Sequence, residues 1–183
     1  MGIVLSHDEI VSALPKVSRG LQKYVWLQSR IADVNECYSD PIFRRCFNGF
    51  YRVRRGPVWQ NVFYDLMCRA NGWSFSKVLG ELSTATGRLE VSFSSKLVAS
   101  LDPSLPVIDS FVLKNVGLRL PASGSPRREQ RAIEIYDLLR RVYREFLESN
   151  NGHRLVEEFR NWYPAANVTE LKMLDLVLWQ KRG

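Results

Sequence analysis

The residue best placed to do chemistry in this chain is Asp109. It lies in Val107-Ile108-Asp109-Ser110-Phe111-Val112, between two apolar pairs, at the entry of a short helix. A carboxylate at a helix start accepts N–H groups of its own first turn. Flanked by apolar residues, it can also hold its proton differently and steer or deprotonate a water. Cap and acid–base group are compatible roles, and residue type alone does not separate them. The surrounding segment, Phe93 to Lys114, reads as a short helix, a loop bounded by Pro103 and Pro106, and a second short helix.

Just upstream, one helix ends over Leu82 to Gly87 and another runs from Ser92 to Leu101, with Arg88-Leu89-Glu90-Val91 between them. A helix-hairpin-helix unit uses such a turn to offer backbone N–H groups to a DNA phosphate, because the helix dipole favours negative charge at its N-terminus. Ser92, Ser94 and Ser95 supply hydroxyl donors, and Arg88 or Lys96 a point charge. Only one glycine, Gly87, stands in the turn, so an ordinary interhelical connection with a Ser cap is the competing interpretation. A second basic group, Arg44, Arg45, Arg52, Arg54 and Arg55, is interleaved with Phe43, Phe47, Phe50, Tyr51 and Trp59. Arginine forks bind phosphate and exposed rings stack on bases. Phe43, Phe47 and Phe50 are expected in the core, and Arg52, Arg54 and Arg55 are candidate nucleic-acid contacts. The arginines from Arg127 to Arg144 alternate with acids and are expected on a solvated face.

Other chemistries have little support. His7 and His153 are distant in sequence, and neither adjoins a Ser or Cys motif. Cys37, Cys46 and Cys68 are odd in number with no CxxC spacing, so neither a zinc site nor a disulfide framework is expected. No Walker loop, dinucleotide fingerprint or EF-hand pattern is present, and no cofactor or metal is expected. No apolar run approaches the roughly 20 residues of a membrane span. The N-terminus lacks the basic and apolar regions of a signal peptide, so an intracellular, cytoplasmic protein is expected. Gly2 and Ser6 fit only a short, common myristoylation pattern. The formal net charge of +7 favours phosphate-bearing partners. Protein partners are not legible.

The elements that must position these residues are helical. Ser6 and Glu9 form a capping box ahead of a three-and-four pattern through Leu14, Leu21 and Ile31, with Pro15 predicted to delay or kink the helix. Asp40-Pro41 and Gly56-Pro57 open two more helices, Ser74 caps the next and Ser92 the one after. A Ser/Gly/Pro loop spans Pro121 to Pro126. A long helix follows to about Asn150, ended by Asn151-Gly152. A short helix runs from His153 to about Trp162, and Thr169 caps the last. No sustained period-two alternation competes. The expectation is a single all-α domain over residues 1–183, with eight or nine helices and a hairpin-like segment at about 82–114.

Taken together, Ser94 to Lys114 resembles the helix-hairpin-helix DNA glycosylase superfamily, and within it the 8-oxoguanine DNA glycosylase fold. Val107-Ile108-Asp109-Ser110-Phe111-Val112 looks like that family's apolar-apolar-Asp-x-x-Val signature. Leu174-Asp175-Leu176-Val177-Leu178-Trp179 looks like the Asp-Leu-x-Leu-Trp ending of its shorter microbial members. The resemblance implies that Asp109 activates the nucleophile and stabilises an oxocarbenium-like sugar. It also implies a pocket for an extruded base, with Phe111 or Trp179 as a wall. Bifunctional members carry a Schiff-base lysine upstream of the Asp. Here that stretch reads Val91-Ser92-Phe93-Ser94-Ser95, and Lys96, closer to Asp109 than the family pattern, is the one candidate nucleophile nearby. The implied function is a DNA-binding protein that cleaves the N-glycosidic bond of a damaged base. The alternative is a non-catalytic DNA-binding or protein-interaction module that keeps the fold without the chemistry.

Overall fold

A computed structural model describes residues 2–32 and 39–181 of the chain. Cys37 lies outside the described residues. Among the described residues there are nine α-helices and no strand. The chain divides into two compact units, Met1–Leu21 with Pro103–Gly183 and Gln22–Asp102, here unit 1 and unit 2. No helix among the described residues is long and apolar enough to cross a membrane.

α1 (His7–Ala32) gives its first half to unit 1 and its second to unit 2. The capping box forms: Ser6 N–H donates to Glu9 Oε2 at 2.9 Å and Glu9 N–H to Ser6 Oγ at 3.2 Å. The helix neither starts late nor breaks at Pro15. Proline removes a single ladder bond there, and the flanking Leu14 and Val17 are both fully buried.

Unit 2 continues with α2 (Pro41–Tyr51), α3 (Pro57–Arg69), α4 (Phe75–Thr86) and α5 (Val91–Leu101). Asp40 and Ser74 cap α2 and α4 as their types predict, and Pro41 and Pro57 occupy first helical positions. The core is aromatic. Phe47 touches the rings of Phe43, Tyr51, Phe63 and Tyr64 at centroid distances of 4.7–5.8 Å. Phe43 and Phe47 are fully buried, as expected, whereas Phe50 is half-buried against Tyr24 and Tyr51. α3 packs on α4 and α4 on α5. α5 begins at Val91 rather than Ser92, with Glu90 in the N-cap position and making no side-chain cap bond. Gly87 closes α4 in the left-handed region, φ 68°, where glycine bears no steric cost.

Unit 1 adds α6 (Ser110–Val116), α7 (Arg128–Leu147), α8 (Asn150–Trp162) and α9 (Glu170–Leu178). α7, α8 and α9 pack against one another, and α6 packs on α9. Leu139, Tyr143, Leu155, Phe159, Leu174 and Val177 fill the interior. The Asn151-Gly152 pair, expected as a terminator, lies in the first turn of α8, which starts at Asn150 under a Ser149 cap. A Cβ on Gly152 would come within 2.1 Å of the Phe146 carbonyl oxygen, so this glycine serves close backbone approach rather than chain reversal. The N-terminal segment is tied into the same unit. Leu5 is buried, Asn151 Nδ2 donates to the Leu5 carbonyl at 3.2 Å, and Lys181 Nζ donates to the Val4 carbonyl at 2.8 Å while pairing with Glu9 at 2.9 Å.

Candidate functional site

Asp109 is the N-cap of α6, with extended backbone angles and half-buried, following the buried Pro106, Val107 and Ile108. Its Oδ1 accepts the Phe111 N–H at 2.9 Å, which fixes the carboxylate's orientation. Among the described residues it forms no ion pair. Phe111 and Trp179, the two proposed pocket walls, are both half-buried.

Beside α6, unit 1 holds a polar network that sequence reasoning missed. Lys172 is 1 % exposed, and its ammonium lies 2.8 Å from Asp175 Oδ2. Asp175 Oδ1 accepts the Tyr143 hydroxyl at 3.2 Å. Complete burial is the main reason the Tyr143 phenol is held well above its ordinary range, reinforced by the Asp175 and Asp109 carboxylates. Tyr143 is therefore a hydrogen-bond donor at neutral pH. The signal was in α9 itself: Leu171 to Leu178 is apolar apart from Lys172 and Asp175, whose three-residue spacing puts them side by side on one strip of the helix, where they can pair.

Unit 1 also has a groove of about 970 Å³ lined by Glu134, Asp137, Arg140, Arg141, Arg144 and His153, with Leu147 and Leu171 as its apolar walls. Asp137 pairs with Arg140 across one turn of α7, in keeping with the solvated face expected of these arginines.

In unit 2, Lys96 is only 8 % exposed and its ammonium lies 5.0 Å from the Phe93 ring centroid. Ser94 and Ser95 are buried, and their hydroxyls donate to the Glu90 and Ser92 carbonyls, both at 2.9 Å. They therefore back-bond to their own helix. Ser92 is half-buried; Arg88 is exposed at the hairpin turn. Arg52 and Arg54 are exposed, whereas Arg55 turns inward. Arg55 Nη2 lies 2.9 and 3.0 Å from the two Glu90 oxygens, and Trp59 Nε1 donates to Glu90 Oε1 at 3.1 Å. The Arg55 guanidinium also lies over the Trp59 and Phe93 rings, at 5.7 and 5.4 Å. Glu90, 5 % exposed, is the member of this junction that sequence pattern did not single out, because nothing local pairs it with Arg55 and Trp59, 35 and 31 positions away.

Cys46 is unpaired, and burial raises its thiol pKa, which disfavours the thiolate a nucleophile would need. Among the described residues, no three His, Cys, Asp or Glu side chains gather as a metal-binding group. Compared with family models, curated proteins and solved structures, the chain matches none.

Proposed function

We propose that this protein binds DNA and hydrolyses the N-glycosidic bond of a damaged base, with Asp109 as the catalytic carboxylate. The observation that carries the reading is the electrostatic state of the inward-set acids. Glu90 is neutralised by Arg55 and Asp175 by Lys172, whereas Asp109 has no cation partner among the described residues. A carboxylate that must stabilise a positive sugar cannot already be spent on an arginine or lysine. One Asp109 oxygen is held by the Phe111 amide, and in this reading the other meets the water or the sugar. In the reaction, water attacks the anomeric carbon as the carbon–nitrogen bond breaks. The bonding pair leaves with the base, and the water's proton passes to Asp109. The base must first leave the stack. The inward packing of Lys96 against Phe93 favours a monofunctional hydrolase over one that forms a Schiff base.

The test is a single-turnover assay at excess protein on duplexes carrying 8-oxoguanine, uracil, an alkylated purine or an abasic site, with borohydride present. The expected result is base release from at least one substrate, lost in Asp109→Asn with DNA affinity retained and no trapped adduct. A fully active Asp109→Asn would sink the assignment. A second reading, DNA binding without chemistry, draws on the unit 1 groove, whose walls are charged and aliphatic rather than aromatic. Salt-dependent binding with no base released from any substrate would select it.

A further inference from the structure

Two basic loops that are distant in sequence meet at one junction. The α2–α3 loop runs from Arg52 to Gly56, and the α4–α5 turn from Gly87 to Glu90. Arg55 of the first is bonded to Glu90 of the second through both carboxylate oxygens, and Trp59 adds a third bond to the same carboxylate. The loop is fixed at its backbone as well. Gln60 Nε2 donates to the Arg55 carbonyl, Asn48 Nδ2 to Gln60 Oε1 at 2.9 Å, and the Tyr64 hydroxyl to Asn48 Oδ1 at 2.8 Å. This chain of bonds runs from the buried aromatic core to the loop, so the loop is braced from beneath.

The junction consumes one cation and one anion, and the two connections that meet there carry three more arginines, all exposed: Arg52, Arg54 and Arg88. Arg54 precedes Arg55 by one residue and Arg88 precedes Glu90 by two, at about 3.8 Å per residue, so both lie beside the junction. Both are exposed, and neither joins an ion pair among the described residues. The third, Arg52, carries a further clue. It occupies the left-handed region, φ 54° and ψ 45°, at the end of α2, the position where helices place glycine. Its side chain is exposed, on a backbone that glycine would adopt at no steric cost.

We propose that the α2–α3 loop and the α4–α5 turn form one phosphate-binding surface for nucleic acid, with Arg52, Arg54 and Arg88 as its contacts and the Arg55–Glu90–Trp59 junction as its positioning element. The inference rests on the DNA-binding half of the proposed function and is independent of Asp109. Arginine forks suit phosphate oxygens, and a braced surface loses less entropy on binding than three loose side chains would.

The experiment is fluorescence anisotropy of a labelled duplex titrated with the whole protein across a series of KCl concentrations. Each phosphate contact contributes about 0.9 to the slope of log affinity against log salt. Arg54→Ala and Arg88→Ala should each flatten the slope by about that amount, and the double variant by about 1.8. Arg52→Gly should weaken binding with an undiminished thermal midpoint, since glycine accepts the backbone angles that arginine does not. Glu90→Gln separates positioning from charge. Removing an acid from a DNA-binding surface should raise affinity, so a fall assigns Glu90 to holding the loops in register, and a rise overturns that part. Arg154→Ala, an exposed cation of unit 1, should leave the slope unchanged. Wild-type binding whose slope is untouched in Arg54→Ala and Arg88→Ala, or equally flattened in Arg154→Ala, overturns the surface while DNA binding stands. A wild-type protein with no salt-dependent binding overturns both.

Discussion

Removing one partner of the Lys172–Asp175 pair should show how heavily unit 1 depends on it. Asp175→Asn keeps the side-chain shape and retains a carbonyl oxygen for the Tyr143 hydroxyl, but it leaves the Lys172 ammonium, 1 % exposed, without its counter-charge. At 2.8 Å the attraction amounts to about 6 kcal/mol with an effective dielectric of 20. Most of that offsets the desolvation of the two charges. Breaking such a pair from one side costs about 3 kcal/mol or somewhat more, because the remaining charge stays buried. That is a large share of the roughly 5–15 kcal/mol that stabilises a typical domain. Urea denaturation followed by circular dichroism reads the loss directly. With a slope of about 2 kcal/mol per molar urea, the midpoint falls by about 1.5 M. The triple variant Lys172→Met, Asp175→Leu, Tyr143→Phe removes both charges and the hydroxyl together. It should recover to within about 1 kcal/mol of the wild type, since well-packed apolar replacements of buried pairs are often neutral. A midpoint for Asp175→Asn indistinguishable from wild type, or a triple variant as unstable as the single one, would refute the reasoning. The first result would mean that the ammonium is satisfied by something other than Asp175, and the second that the loss comes from packing rather than from a stranded charge.

Gly152→Ala should destabilise by about 2 kcal/mol through overpacking, because its Cβ would meet the Phe146 carbonyl oxygen at 2.1 Å. A thermal melt should show a midpoint lowered by about 4–8 °C. Tyr143 makes a pH prediction. Its folded pKa is raised by burial, so the fold retains its proton after the unfolded chain has lost it. Its contribution is then complete below the unfolded pKa of about 10 and declines above it. Tyr143→Phe should show a shallower loss of stability from pH 10 upward, by up to about 1.4 kcal/mol per pH unit, in urea titrations at stepped pH. Asp40→Ala should cost about 1 kcal/mol by freeing the Ile42 N–H that Asp40 now accepts at 2.8 Å, and equilibrium denaturation will read it.

The helices were legible where the chain's own start and stop signals act locally. Ser6 with Glu9, Asp40 with Pro41, Ser74 and Thr169 all cap as their types predict, because each interaction closes within three residues. The failures share a physical origin in tertiary contact. Asn151-Gly152 looked like a helix end, yet its glycine answers to a carbonyl of the preceding helix. Ser92 looked like a cap, but α5 begins one residue earlier and the Glu90 carboxylate is directed to Arg55 and Trp59 instead. For the site, the apolar flank and capping role of Asp109 could be read from its neighbours alone. The inward turn of Arg55 could not, since its partner is 35 residues away. The Ser94 and Ser95 hydroxyls were legible as donors, but their bonding back to their own helix was not, since it depends on which face of α5 is packed.

The tether from Lys181 to Val4 and Glu9 holds the two segments of unit 1 side by side at residues 4 and 181. A linker of only a few residues, each spanning about 3.3 Å or more, would join those two positions without disturbing Leu5 in its buried seat. The order of helices along the polypeptide is then a separable property from their packing. A circularly permuted chain, opened instead at the exposed Ala122-Ser123-Gly124 loop, would bring the N-terminal segment and α9 into sequence proximity while leaving every helix intact.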